Sequence, residues 1–261
     1  MSYIDTHVHL DQEEFDADRD DVVDRFRRAG GEAMLSVGIS AASSRATLEL
    51  AETHPEIFAA VGIQPNCAAE AAPDDWDRIV AMVDHPRVVA LGETGLDRHW
   101  DFTPLDVQRD YFDRHLRLAR RHDLPVVIHC REAEADVLAM LREAVGGGPV
   151  RGVLHAFSGD AAFAAQCLEL GLDVSFAGMV TYRNKKFQPL RQVAASIPDD
   201  RLLIETDSPY LVPHPLRGKQ RRNEPAWVVH TAECLAELRG VTLEELSAQT
   251  TANARRLFRF P

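Results

Sequence analysis

The sequence predicts an α/β fold, a single (β/α)8 barrel of the TIM type with C-terminal helices that close it. Short apolar runs recur along the chain, each bounded by Gly, Pro or a charged residue, as is typical of strands buried on both faces. Segments with mixed polar and apolar residues at helical spacing separate these runs. Eight such strand and helix units in 261 residues fit this barrel, whose usual length is about 250 residues.

The predicted elements alternate along the chain. Strands are predicted at residues 3–9, 33–37, 58–62, 88–92, 125–128, 152–154, 172–175 and 202–204. Helices are predicted at residues 16–29, 42–54, 76–84, 104–122, 133–145, 160–170 and 188–197, and helices at 227–239 and 242–258 are expected to close the barrel. Thr103 before Pro104 is predicted to cap the following helix, and Thr242 with Glu245 has the spacing of a capping box.

Side chains that can bind a metal stand at the carboxyl ends of several predicted strands. His7 and His9 are two positions apart in the first strand, so both imidazoles point to the same side. Later strands lead into Glu93, His129, His155 and Glu205 with Asp207. Each residue alone is more often an ordinary hydrogen-bonded loop residue. The strand ends of a barrel surround one pocket, however, so their coincidence indicates a divalent-metal centre.

Ordered motifs along nearly the whole chain carry a family resemblance. They are Asp5-Thr6-His7-Val8-His9-Leu10, Gly92-Glu93-Thr94-Gly95-Leu96-Asp97, His129-Cys130-Arg131-Glu132-Ala133, His155-Ala156-Phe157-Ser158-Gly159, Glu205-Thr206-Asp207-Ser208-Pro209-Tyr210-Leu211 and Arg222-Asn223-Glu224-Pro225. With these motifs the chain resembles the TatD-type metal-dependent deoxyribonucleases, a branch of the metallo-dependent hydrolase superfamily. The resemblance implies a TIM-type barrel, two or three divalent ions, and cleavage of phosphodiesters in nucleic acid, often from a 3′ end.

The resemblance also implies a role for each site residue. His7, His9 and Asp207 would hold one ion, His129 and His155 a second, and Glu93 would bridge the two. Asp207 and Glu93 are the expected catalytic residues, with Asp207 as the proton acceptor. Glu205 is expected to orient a ligand or a water molecule, and Asp5 to have a structural role. Mg, Mn and Zn are not distinguished by these side chains.

A carboxylate at the bridging position favours one branch of the superfamily. Related amidohydrolases often bridge their metals with a carboxylated lysine. No lysine lies within residues 88–100, where Glu93 stands. The nuclease-like branch is therefore favoured over the dihydroorotase or phosphotriesterase type, and a small-ester hydrolase stays open.

The charge distribution bears on the substrate. The chain carries 29 Lys and Arg against 41 Asp and Glu, a net charge of −12, which would repel long nucleic acid over most of the surface. Positive charge follows the seventh and eighth predicted strands, where barrels commonly bind phosphate, at Arg183, Lys185, Lys186, Arg217, Lys219, Arg221 and Arg222. The predicted substrate contacts are Arg131, Arg217, Lys219 and Arg222. A small basic mouth suits a chain end or a short strand better than a duplex.

Two departures from the family pattern bear on substrate preference. Gln64 stands where the family usually has histidine, and the basic segment at residues 217–223 is longer than the usual form. Both segments are expected to line the rim of the pocket. Gln64 keeps the capacity for hydrogen bonding but cannot carry a proton as histidine can.

The leading hypothesis is a metal-dependent 3′-5′ exonuclease that acts on single-stranded DNA or RNA with a metal-activated water. A metal-dependent aminoacyl-tRNA deacylase or small-ester hydrolase would use the same ions. A remote alternative is a noncatalytic barrel that binds nucleic acid or a partner protein. Substrate-rate comparisons would separate the first two, and metal analysis would test the third.

The remaining expectations concern organisation and location. No signal-peptide pattern is present, and no apolar run approaches the about 18 residues of a membrane span. A cytoplasmic protein without membrane association is predicted. Residues 1–261 are predicted to form one hydrolase barrel domain, because no repeat or long linker interrupts them. The oligomeric state stays open, and a monomer is compatible with the sequence.

Overall fold

The strands form one closed parallel sheet. The computed structural model describes residues 1–260, and in these the strand order runs from β1 to β8. The strands are β1 (Tyr3–Val8), β2 (Gly31–Val37), β3 (Ile57–Val61), β4 (Val88–Asp97), β5 (Val126–Arg131), β6 (Gly152–Leu154), β7 (Asp173–Phe176) and β8 (Leu202–Ile204). Beyond β8, the Asp207 N–H donates to the His7 carbonyl oxygen at 2.9 Å. This contact brings the two ends of the sheet together and confirms the predicted barrel.

Helices connect successive strands and cover the outside of the sheet. They are α1 (Arg19–Arg28), α2 (Ala41–Thr53), α3 (Asp75–Met82), α4 (Leu105–His122), α5 (Glu134–Gly146), α6 (Ala161–Glu169), α7 (Gln188–Ser196), α8 (Val228–Arg239) and α9 (Leu243–Phe258). Their bounds agree with the predicted ones to within about one turn. No helix among residues 1–260 is both long enough and apolar enough to cross a membrane.

The predicted capping signals have different outcomes. The capping box of α9 is confirmed, because the Thr242 side chain accepts from the Glu245 N–H and the Glu245 carboxylate accepts from the Thr242 N–H. The predicted cap of α4 is wrong. Pro104 occupies the cap position without a side-chain bond, and the Thr103 hydroxyl instead accepts from the Ala69 N–H at 3.2 Å. The hydroxyl that the local sequence predicts as a helix cap thus accepts a hydrogen bond from the backbone of a short 3-10 helix, Pro65–Glu70, far away in the chain.

Strand β4 is longer than predicted. The sequence predicts that it ends at residue 92, but it continues to Asp97 and pairs with β5 through Leu96 opposite Cys130 and Asp97 opposite Arg131. Glycines at 92 and 95 interrupt the apolar run, so the segment looks like a loop in the sequence. Both adopt positive φ, a conformation that glycine tolerates without steric cost.

Apolar side chains fill both sides of the sheet. One buried cluster packs the outer face of the strands against the helices. A second, smaller cluster joins alternate residues of several strands, among them Leu35, Phe58, Val127 and Leu203, with the C-terminal end of the chain. Phe260 contributes to this cluster, 4.8 Å from the Phe58 ring centroid. The C-terminal segment therefore closes the barrel, as predicted.

Replacing Gly95 by Ala should destabilise the protein. Gly95 has φ +134°, and an added Cβ would overlap the His129 carbonyl oxygen on β5. We expect the free energy of unfolding to fall by more than about 1 kcal/mol, since both the strained φ and the overlap oppose the side chain. Urea denaturation measures the change.

Gly146→Ala is the matched control. An added Cβ at this helical position in α5 meets no atom within 4 Å. Its stability should be unchanged or higher by up to about 1 kcal/mol. Equal stability of the Gly95→Ala variant and the wild type would contradict the requirement for glycine in β4.

Candidate metal centre

The strand residues that point into the barrel continue, at the carboxyl ends of the strands, as the polar residues of the site. Val127, Val153 and Leu203 belong to the buried cluster inside the sheet. Residues two positions further along a strand point the same way, and these are His129, His155 and Glu205. The strand pattern that builds the apolar interior therefore also directs the polar side chains into one space at the carboxyl ends of the strands.

One group of donors forms around His7 and His9. Their Nε2 atoms are 3.1 Å apart. The Glu93 Oε2 atom lies 3.6 Å from His7 Nε2 and 3.7 Å from His9 Nε2. The Asp207 Oδ1 atom lies 3.7 and 3.5 Å from the same two nitrogens. Two imidazoles and two carboxylates thus converge on one point.

A second group forms on the other oxygen of Glu93. The Glu93 Oε1 atom lies 2.9 Å from His129 Nδ1 and 3.1 Å from His155 Nε2. These two nitrogens are 3.3 Å from each other. One carboxylate therefore contacts both groups, one through each of its oxygens.

Hydrogen bonds on the far side of two imidazoles direct their remaining nitrogens into the site. His9 Nδ1 lies 2.9 Å from the Val37 carbonyl oxygen, an atom that can only accept, so Nδ1 carries the proton. His129 Nε2 likewise lies 2.9 Å from Asp97 Oδ2. When each ring is neutral, its other nitrogen has a free lone pair that faces the cluster. Bonds of this kind are characteristic of histidines that bind metals.

Neutral and protonated imidazoles both surround the Glu93 carboxylate. Burial lowers the pKa of His7 to about 4, so this imidazole is neutral near pH 7. Burial raises the pKa of Glu93, but contacts with His155, His129 and His7 outweigh it and hold the pKa well below its usual range. Burial lowers the pKa of His9 and of His155, but contacts with carboxylates outweigh it and raise the pKa of His9 to about 9 and that of His155 well above its usual range. Protonated imidazoles therefore offset the buried Glu93 carboxylate, a role that a bound cation would take over by displacing their protons.

The donor spacing also fits bound cations. Two nitrogens that each lie about 2.0–2.1 Å from one Zn²⁺ are separated by roughly 3.3 Å. The donor atoms around His7, His9 and Glu93 are 3.1 to 3.7 Å apart. Within residues 1–260, the groups able to hold an ion are His7 with His155 and Asp207, His7 with His9 and Glu93, and Glu93 with His129 and His155. The residues present therefore suit a divalent-metal centre.

Asp97 is a site residue that the sequence analysis missed. It is buried at the end of β4, and its Oδ2 atom contacts His129 Nε2 and accepts from the Asn66 amide at 3.1 Å. The apolar run stops at Gly92, so the sequence predicts no strand through Asp97. The even spacing of Glu93, Gly95 and Asp97 was the signal that could have identified it.

Two further carboxylates hold the strand ends in place. Glu205 Oε1 accepts from the Ala156 N–H at 2.6 Å and lies 3.5 Å from His155 Nδ1. Asp5 accepts from the N–H and the hydroxyl of Thr206, at 2.9 and 2.6 Å. Glu205 thus positions His155, and Asp5 fixes the segment that carries Asp207.

The predicted substrate contacts lie in different surroundings. Arg131 and Lys219 are exposed, and the Arg217 guanidinium lies 3.9 Å from the Tyr182 ring centroid. The Arg222 guanidinium is instead paired with Asp18 at 2.6 Å and Glu224 at 2.9 Å. Gln64 accepts from the Asn66 N–H at 2.8 Å, and the side-chain amide of the same Asn66 donates to Asp97.

Replacing Asp97 by Asn should weaken metal binding. The charge that orients the His129 ring would be lost, and changes of this kind typically cost about 10- to 100-fold in metal affinity. Competition with a chromophoric chelator for Mn²⁺ or Zn²⁺ measures the affinity. Asp101→Asn, an exposed carboxylate in the next loop, is the control and should bind as the wild type does. Wild-type affinity in the Asp97 variant would refute the positioning role.

Comparisons with known proteins identify the family of this chain. The family model described as TatD related DNase matches residues 4–259. The uncharacterized metal-dependent hydrolase YabD of Bacillus subtilis is 42% identical over 255 residues, covering 98% of each chain. The 3′-5′ ssDNA/RNA exonuclease TatD of Salmonella typhimurium is 37% identical over 256 residues, covering 97% of this chain and 98% of that one. The crystal structure of YjjV, a TatD homologue from Escherichia coli, matches with a TM-score of 0.92 at 29% identity, covering 99% of this chain and 98% of that one. The chain therefore belongs to the family of TatD-related DNases.

Proposed function

We propose that this protein is a divalent-metal-dependent exonuclease that removes nucleotides from the 3′ end of single-stranded DNA or RNA. The observation that carries the proposal is the Glu93 carboxylate, whose two oxygens face two separate groups of imidazoles. Sites with paired ions suit the displacement of an oxygen from a phosphodiester. The activity named for the Salmonella relative supports the same reaction.

The metal-binding side chains form two groups, one for each of two ions. His7, His9 and Asp207 would hold one ion and His129 and His155 the other, with Glu93 facing both groups. Imidazole with carboxylate ligands suits Zn²⁺ or Mn²⁺, and carboxylates also admit Mg²⁺. When bound, such ions lower the pKa of a coordinated water and neutralise charge on the phosphate.

Asp207 would accept the proton of the attacking water. Its side chain is 13% exposed, against 4% for Glu93, so Asp207 lies nearer the open side of the site, where substrate enters. Asp5 holds the adjacent Thr206 backbone, which fixes the direction of the Asp207 carboxylate. A base within reach of its proton typically contributes about 10²- to 10⁴-fold to the rate.

Local positive charge supports a nucleic acid substrate. Arg131, Arg217 and Lys219 are exposed near the carboxyl ends of the strands. A neighbouring cavity of about 360 Å³ has Arg183, Lys185 and Arg191 as its charged lining residues. On a chain of net charge −12, exposed cations grouped here favour a short strand or a chain end over a long duplex.

The ion pairs of Arg222 alter one expected role. Its guanidinium is held between Asp18 and Glu224 and lies over the Phe15 ring. The two carboxylates neutralise the charge of this guanidinium and occupy its N–H donors, so a phosphate would have to displace them. We therefore assign phosphate binding to Arg131, Arg217 and Lys219, and a structural role to Arg222.

Asp207→Asn should abolish hydrolysis of single-stranded DNA and leave the fold intact. Loss of the proton acceptor and of a ligand charge should reduce kcat by at least about 10²-fold. Oligonucleotides labelled at either end, incubated with Mg²⁺ or Mn²⁺ or with a chelator, reveal both rate and polarity. Metal-dependent stepwise shortening from the 3′ end is expected for the wild type.

Asp77→Asn, an exposed position in α3, is the matched control and should keep full activity. Unchanged turnover by the Asp207 variant would rule out the mechanism. A wild-type protein that cleaves no nucleic acid with any divalent ion, but hydrolyses aminoacylated tRNA, would replace the exonuclease by an ester hydrolase.

Arg217→Ala should change substrate binding, whereas Arg222→Ala should change stability. Loss of Arg217 should raise KM for single-stranded DNA and reduce the slope of log affinity against log salt by about 0.7, since one phosphate contact is removed. Loss of Arg222 should lower the melting temperature with little effect on KM, because it breaks pairs within the protein. Steady-state kinetics at several salt concentrations and thermal unfolding measure both. The assignment fails if Arg222→Ala raises KM as much as Arg217→Ala does.

A further inference from the structure

Two aromatic rings are exposed in the loop between β4 and α4. Trp100 is 45% exposed and Phe102 is 62% exposed. Their rings are stacked, with centroids 5.4 Å apart and planes inclined by 13°. Single exposed apolar residues need no explanation. Two rings stacked on each other at the surface, however, present a flat apolar area on which a third ring can pack.

This aromatic pair is attached directly to the candidate metal centre. Asp97 Oδ1 accepts from the N–H groups of His99 and Trp100, at 2.9 and 3.0 Å. The other oxygen of the same carboxylate contacts His129 Nε2 at 2.9 Å. One side chain therefore fixes both a metal-binding imidazole and the start of the aromatic loop, so the position of the rings relative to the site is set.

Positive charge accompanies the rings. The Arg131 guanidinium lies 5.6 Å from the Trp100 ring centroid, and Arg131 follows His129 by two positions on β5. Among residues 1–260, no carboxylate forms an ion pair with Arg131, whereas neighbouring Arg98 is paired with Asp136 at 2.7 Å. Exposed flat rings beside an unpaired guanidinium match the two parts of a nucleotide, its base and its phosphate.

We propose that Trp100 and Phe102 form a stacking platform for a nucleobase of the substrate strand, and that Arg131 binds the adjacent phosphate. This inference rests on the proposed nuclease function and deepens it. Stacking on an aromatic face is available to every base, so the platform gives affinity without sequence preference. Bases in a duplex are already stacked and paired, so the platform selects single strands. It occupies the opposite side of the barrel mouth from Arg217, which follows β8.

Binding of single-stranded DNA tests the platform. The Asp207→Asn protein, which is expected not to turn over, is titrated against a labelled oligonucleotide with Mn²⁺ present, and fluorescence anisotropy gives Kd. Adding Trp100→Ala should raise Kd by about 5- to 150-fold, the range for loss of one stacked base. Trp100→Phe keeps a ring and should restore most of the affinity. Val80→Ala, an exposed apolar position in α3, is the matched control and should leave Kd unchanged.

Abasic oligonucleotides identify the occupant. One base is removed at each position near the 3′ end in turn. At one position, removal should weaken binding to the Trp100 protein and have no further effect on the Trp100→Ala protein, because the same contact is already lost. Equal effects of base removal on both proteins, or an unchanged Kd after Trp100→Ala, would overturn the platform and leave the rings for a protein partner.

The two proposals fail separately. If the wild type degrades single-stranded DNA while Trp100→Ala and base removal change nothing, only the platform is wrong. If the wild type degrades no nucleic acid but Trp100 still contributes to binding it, the exonuclease activity is wrong and the platform stands. Melting temperatures of all variants exclude unfolding as the cause of any loss.

Discussion

The buried carboxylate of Glu93 is the constraint on which the rest of the site depends. It is 3% exposed, it is ionised, and each of its oxygens faces a different group of imidazoles. An ionised group this deeply buried is costly unless it has partners of opposite charge or a bound cation. The strands that supply His7, His9, His129 and His155 must therefore end at matching heights. The barrel achieves this because the strand ends surround one space.

A surrounding set of acceptors keeps that arrangement rigid. The Val37 carbonyl orients His9, Asp97 orients His129, and Glu205 lies beside His155. Asp5 fixes the backbone next to Asp207. These partners come from four different strands or their ends, so the metal centre and the closure of the barrel stabilise each other. Asp97 also connects the site to the surface, because the same carboxylate accepts a hydrogen bond from the loop that carries Trp100.

Arginines of one basic stretch differ in their surroundings on this acidic molecule. Whether an arginine can bind substrate or stabilises the fold depends on its neighbours. Arg217 lies against the Tyr182 ring. Arg222 is instead paired with the carboxylate of Asp18, just before α1, and with that of Glu224. Two arginines five positions apart in a basic stretch thus have different surroundings. Aromatic rings next to Arg131 add apolar contact to the positive charge, a combination suited to single strands.

The alternation of strands and helices and the donors at the strand ends could be predicted from sequence, because both follow from local periodicity. Residues such as His129 and His155 stand where an apolar run stops, and a parallel barrel brings such positions together. The length of β4, the partner of Thr103, the pairing of Arg222 with Asp18 and the stacking of Trp100 on Phe102 could not be predicted in the same way. Each of these depends on how particular backbone and side-chain atoms pack in three dimensions. Most of the contacts join segments far apart in the chain. Hydrophobic periodicity is a local property and does not predict such pairings. The sequence by itself thus determined which elements form and which metal-binding side chains stand at the strand ends, and the tertiary structure decided which partner each polar side chain has.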